Sequence, residues 1–132
     1  MPTEAGSIRP DRSRLTLRRE QRLTKSAEIR EAYSQQRKTV GKYMVLWRRE
    51  ADNANLRLAV VASKKVGGAV QRNRAKRRLR EVFRLNQHQL SGPCDVVLVA
   101  RKSILTASWP QVVEDLSSVF KRAGLLSQPL SQ

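Results

Sequence analysis

Between Lys64 and Arg80 the chain sets eight cationic side chains around two adjacent glycines and one uncharged amide, Asn73. Cations at this density do one kind of chemistry: they hold polyanions, above all phosphate backbones. Their spacing gives the grip a form. At about 100° per residue, Asn73, Lys76, Arg77, Arg80 and Arg84 project to one side of a helix, with Arg72 at its edge. Ala75, Leu79, Val82, Phe83 and Asn86 project to another. The segment therefore reads as an amphipathic helix, with one stripe for a core and one for a phosphate backbone. A merely solvated charged face is the plainer alternative, and the charge of the whole chain argues against it. Lys and Arg number 27 against 11 Asp and Glu, a formal net charge of +16. Repulsion at that level opposes folding unless a partner neutralises it, and nucleic acid is the commonest such partner.

Other chemistry is sparse. Cys94 is the only cysteine and His88 the only histidine, so no intrachain disulfide or zinc cluster is possible within one chain. Cys94 follows Ser91-Gly92-Pro93 and precedes an apolar run, and reads as a small half-buried residue. His88 has no partner motif and reads as a bystander. There is no catalytic triad, P-loop or metal-ligand cluster. No apolar run approaches the roughly 20 residues of a membrane span, and no signal peptide is visible. These features predict a cytoplasmic protein with no catalytic residues of its own.

The 132 residues suit one domain with a modest core. Residues 1–22 read as a disordered basic arm, 23–124 as the folded domain, and 125–132 as a flexible tail. Ser26 is a candidate N-cap for a first helix over 27–36, on which Ile29 and Tyr33 share a face. Thr39-Val40-Gly41 breaks it. Residues 42–48 alternate as a strand, with Tyr43, Val45 and Trp47 on one face and Met44 and Leu46 on the other. Residues 56–63 read as a second strand, paired with the first in an antiparallel hairpin. Gly67-Gly68 then turn the chain into the basic helix, which runs to about His88. Residues 95–100, Val-rich, read as a third, internal strand. Ser108 and Gln111 have capping-box spacing for a last helix with Pro110 in its first turn. Its apolar stripe is Val112, Leu116, Val119 and Phe120, and Gly124 follows its end. Of the 27 basic residues, 23 lie at or before Arg84, so the binding surface belongs to the first two-thirds of the chain.

Val61-Ala62-Ser63-Lys64-Lys65-Val66-Gly67, then Ala69-Val70-Gln71-Arg72-Asn73-Arg74 and Lys76-Arg77-Arg78-Leu79-Arg80, closely resemble the signature of the bacterial ribonuclease P protein family, whose hallmark is an Arg-Asn-Arg helix after a Ser-Lys-Lys turn. Residues 22–28, 43–47 and 95–101 match its opening helix, first strand and last strand. The resemblance implies an α+β fold, a single-domain α/β sandwich of helix-strand-strand-strand-helix-strand-helix order. It also implies a left-handed crossover and a fourth, short strand. It implies that the partners are a catalytic RNA subunit and precursor tRNA, with no membrane and no obligate protein partner. The RNA removes the 5′ leader using Mg2+, which is bound mainly by RNA. The protein has no catalytic or certain metal-binding residue; it holds the leader and aids metal and substrate affinity. Carried onto this chain, the family's helix motif implies RNA-subunit contacts at Lys65, Arg72, Asn73, Arg74, Lys76, Arg77 and Arg80. Its leader cleft falls on Ile29, Tyr33, Val45, Trp47, Val61, Ser63 and Lys64. Ile29 stands where the family often has Phe, and Trp47 where Tyr is common. For Tyr33 and Trp47 the competing role is core packing. For the whole chain it is that of a ribosomal protein or rRNA assembly factor, which the spaced helix motif speaks against.

Overall fold

The computed structural model describes residues 22–90, 92 and 94–125. The expected arm before Arg22 and the tail after Leu125 lie outside the described residues. The elements are α1 (Ser26–Ser34), β1 (Lys38–Val40), β2 (Met44–Glu50), β3 (Leu58–Val61), α2 (Ala69–Asn86), β4 (Cys94–Ala100) and α3 (Trp109–Arg122). Short 3-10 turns, Gln87–Gln89 and Lys102–Leu105, follow α2 and β4. The order is the expected one.

The sheet runs β1-β2-β4-β3. β2 pairs antiparallel with β1 and β4, and β3 pairs parallel with β4. The expected hairpin between the strands now labelled β2 and β3 does not form, because β4 lies between them. The reason is composition: in β4 every residue but Val99 is buried, and a strand apolar on both sides belongs in the centre of a sheet. β3 returns to β4 through α2, a crossover between adjacent parallel strands.

Strand alternation sorts the side chains to two faces. Met44, Leu46, Leu58, Val96, Leu98 and Ala100 form one core with Ala75, Leu79, Val82 and Phe83 of α2 and Val112, Leu116, Val119 and Phe120 of α3. Phe83 and Phe120 meet there at 6.1 Å between centroids. The second face carries a smaller cluster under α1, with Leu23, Ala32, Ala59 and Val97 at its centre. α1 thus covers one side of the sheet, and α2 and α3 the other.

Local signals explain most element ends. Ser108 caps α3 through both bonds of a capping box: Gln111 N–H donates to Ser108 Oγ at 3.3 Å, and Ser108 N–H donates to Gln111 Oε1 at 2.9 Å. Gly124 follows with φ +78°. The expected cap of α1 is not made. Ser26 is already helical, and Lys25 occupies the cap position without a side-chain bond. α1 ends at Ser34, earlier than expected, and Gln36 beyond it has φ +57°. Two residues assigned to the flexible ends belong to the fold. Arg22 bridges Leu58, and Leu125 is buried with its N–H on Phe120 O at 2.8 Å.

The turn between β1 and β2 is fastened to α3. Asp115 Oδ1 and Oδ2 accept the backbone N–H groups of Lys42 and Tyr43 at 2.9 and 2.8 Å. Arg101 and Arg122 donate to Gly41 O and Val40 O. A side chain on Gly41 would place its Cβ 2.6 Å from Asp115 Oδ2, so only glycine lets the carboxylate approach.

Candidate nucleic-acid interface

The cationic helix is oriented by its buried stripe. Ala75, Leu79, Val82, Phe83 and Asn86, the five positions expected to face inward, are the buried ones. Asn73, Arg77 and Arg80 are consequently exposed, as is Arg74, with Arg72 and Lys76 partly so. Among the described residues, none of the side chains of Arg72, Arg74, Lys76, Arg77 and Arg80 has a carboxylate partner within 4 Å. Arg84, expected on the same face, is taken: its Nη2 lies 2.6 Å from Glu81 Oε2.

The turn before α2 sets its starting point. Val66 N–H donates to Ser63 O at 3.0 Å and Gly67 N–H to Lys64 O at 3.2 Å. Val66 is buried and anchors the turn, leaving Ser63, Lys64 and Lys65 exposed. Gly67 has φ +144°, and a Cβ there would lie 2.9 Å from Gln71 Cβ. Glycine is needed at Gly67 on both counts, and the turn it allows brings two lysines to the head of the helix.

The second face of the sheet carries most of the residues expected to line the leader cleft. Cross-strand register aligns Val40, Val45, Val99 and Val61 in one row, and Lys38, Trp47, Val97 and Ala59 in the next. α1 lies over the second row, where Ala32 and Val97 are fully buried. Ile29, Tyr33, Trp47, Val61 and Val99 pack around that cluster half-buried, and Val45 is half-buried beside Val99. Tyr33 and Trp47 meet edge to face, 5.1 Å between centroids, and Lys38 Nζ lies 5.4 Å from the Trp47 ring centroid. Burial pushes the Tyr33 phenol above its ordinary pKa, so it stays neutral at physiological pH.

Five of the seven expected cleft residues thus share one face of the sheet and its covering helix. Ser63 and Lys64 are exposed beyond the end of β3, on the segment that leads to α2. Cys94, expected half-buried, is fully buried, and His88 is exposed.

What the sequence reading missed is the fastening of α1. Arg49 donates to Glu31 Oε1 at 2.5 Å, Asp95 Oδ2 at 2.7 Å and Asn53 Oδ1 at 2.8 Å. Arg57 donates to Asp95 Oδ2 at 2.8 Å and to Glu28 Oε2 at 3.3 Å. Burial alone would raise the Asp95 carboxyl. Hydrogen bonds from Arg57, from the Asn55 and Arg57 backbone and from Arg49 outweigh it and hold its pKa below the ordinary 3.8. Glu28 is likewise desolvated, yet held low by Arg57, Asn53 and Arg49. Two signals were present. Glu28 and Glu31 lie three apart on α1, and Arg49 follows Trp47 by two, which places it on the same face of β2.

These features define a single-domain α+β protein with a cationic helix, α2, on one side of its sheet and a half-buried aromatic pair beside α1 on the other. The Ribonuclease P family model matches residues 17–124. The ribonuclease P protein component of Exiguobacterium sp. is 36% identical over 107 residues, covering 81% of this chain and 93% of that one. That of Desulfatibacillum aliphaticivorans is 36% identical over 104 residues, covering 79% and 88%. Among solved structures, the RNase P protein of Staphylococcus aureus superposes with TM-score 0.69 at 26% identity, covering 80% of this chain and 97% of that one. The Thermotoga maritima RNase P protein gives 0.67 at 28%, covering 76% and 96%. The chain belongs to the ribonuclease P protein family, the RNA-binding protein components of a tRNA-processing ribonucleoprotein.

Proposed function

We propose that the exposed face of α2 binds the catalytic RNA subunit and that the cleft under α1 holds the 5′ leader of precursor tRNA. The observation that carries this is the set of five α2 cations, Arg72, Arg74, Lys76, Arg77 and Arg80, without a carboxylate partner among the described residues. Unpaired cations on a rigid helix release counterions from a phosphate backbone at little ordering cost. Lys65 extends this surface at the helix head, and Asn73 supplies a directional donor and acceptor that fixes register. Leader binding is supported by the half-buried Tyr33–Trp47 pair, since aromatic faces beside cations are how unpaired nucleotides are held. Ile29, Val45 and Val61 give that strand an apolar floor, with Ser63 and Lys64 at its exit towards α2.

In this reading the RNA performs cleavage in the cytoplasm, and the protein raises affinity for precursor tRNA and for the metal the RNA uses. Mg2+ is assigned to the RNA. Purifying the chain from cells and identifying the bound RNA tests the partner. A large catalytic RNA is expected; ribosomal RNA alone would favour an rRNA-binding role.

A further inference from the structure

Arg78 lies on the flank of α2, away from the face that carries Asn73, Arg77 and Arg80. Its Nη1 donates to Ile104 O at 2.7 Å, and its guanidinium carbon lies 6.0 Å from the Trp109 ring centroid. Trp109 opens α3, and its side of the helix runs on into the buried Val113 and Leu116. Trp109 itself is 37% exposed. One turn before Arg78 on α2 is Arg74, and one turn before that is Val70, 76% exposed. Three of the four exposed large apolar residues among those described, Val70, Leu85 and Trp109, lie on α2 or at the head of α3.

Arg74 and Arg78 have no carboxylate partner among the described residues. Burial disfavours the charge of Arg78, and the like charge of Arg74 adds to the effect. Like charges one helical turn apart destabilise a helix unless an anion neutralises them. The site is also ordered in advance. The Ile104 carbonyl and the indole fix the Arg78 fork, so a ligand would not have to organise it.

We propose that Trp109, with Arg78 against its ring and Arg74 one turn away, is a stacking platform for an unpaired base of the RNA bound by α2, with the adjoining phosphates on the two arginines. The inference rests on the reading of α2 as an RNA-binding helix. It adds Trp109 and Arg78, which belong to neither the leader cleft nor the set of five α2 cations, and it extends that set's surface from Arg74. Charge selects the partner: an aromatic ring flanked by unneutralised arginines suits a stacked nucleotide better than an apolar protein surface, which would leave both cations buried and unpaired.

Hydroxyl-radical footprinting of the unmodified protein, free and bound to ribonuclease P RNA, reads Trp109 directly. Mass spectrometry resolves it from Trp47, which lies on a different tryptic peptide. Binding is expected to reduce Trp109 oxidation about fivefold or more, and Trp109→Ala to weaken RNA affinity about tenfold. Trp109→Phe, which keeps a ring, should lose less than about threefold. Should Trp109→Ala fail to fold, the wild-type footprint and the Phe variant still decide. A protein that binds the RNA with Trp109 still fully open to oxidation overturns this assignment and leaves the reading of α2 intact. One that does not bind the RNA at all overturns both.

Discussion

The rings of Tyr33 and Trp47 meet edge to face, 5.1 Å between centroids and 87° between planes, joining α1 to β2. Neither ring is fully buried. The contact therefore fixes two aromatic surfaces in place while leaving part of each open to solvent.

Tyr33→Ala and Trp47→Ala should each weaken affinity for precursor tRNA in the reconstituted complex, by roughly 1–3 kcal/mol if a stacked base is lost. Mature tRNA, which has no leader, should be affected far less. Equilibrium binding with both substrates checks this. Equal losses for both would assign the two rings to packing alone, as would loss of the native circular dichroism spectrum.

Replacing Arg72, Lys76 and Arg80 together by Ala should reduce the salt dependence of RNA-subunit binding. Each phosphate contact contributes roughly 0.7–0.9 to the log–log slope. Asn73→Ala removes no charge. Its effect should appear as a raised Mg2+ requirement for cleavage with the slope intact. Binding titrations at several salt concentrations distinguish the two behaviours.

Gly41→Ala should destabilise the fold by roughly 1–3 kcal/mol, the usual cost of overpacking, because the new methyl meets Asp115 Oδ2 at 2.6 Å and Met44 O at 2.8 Å. In an Asp115→Ala background the same change should cost less, although the clash with Met44 O remains. Thermal melts of the four proteins of this cycle give the coupling. Additive losses would mean that the carboxylate does not enforce glycine.

Acid should unfold the protein through Asp95 and Glu28. Both carboxyls are held below their ordinary values of 3.8 and 4.5. Their contribution to stability is therefore fully present above those values and is lost as pH falls through the depressed ones. Asp95→Asn should lower the melting temperature near neutral pH and flatten its fall between about pH 5 and pH 3. An unchanged acid limb in the Asn variant would place the titration elsewhere.

Periodicity made part of this legible and left part hidden. The buried stripe of α2 could be read position by position, because Ala75, Leu79, Val82, Phe83 and Asn86 follow helical spacing without interruption. The capping box of α3 was legible because Ser108 and Gln111 are the residue types the motif requires. β1 was hidden, since three residues are too few to show alternation and Thr39-Val40-Gly41 resembles a helix breaker. Strand order was hidden for a different reason. The apolar pattern says which residues are buried but not which strand lies beside them, so neighbours in sequence were paired where β4 intervenes. The network of Arg49, Arg57, Asp95, Glu28 and Glu31 spans the chain from α1 to β4; spacing places Glu28 with Glu31 and Arg49 with Trp47, but nothing local says that these groups meet. Arg84 shows the complementary error. Its helical angle placed it with the free cations, while Glu81, three residues earlier, pairs with it.

Cleavage of a 5′-labelled precursor tRNA by purified protein, by ribonuclease P RNA, and by the two combined at low Mg2+ is the most direct test of the central claim. The protein alone should give no product. The combination should cleave at the leader junction and exceed the RNA alone, and that advantage should shrink as the leader is shortened towards the cleavage site. A combination no better than RNA alone would contradict the account, as would site-specific turnover by RNA-free protein that survives repurification.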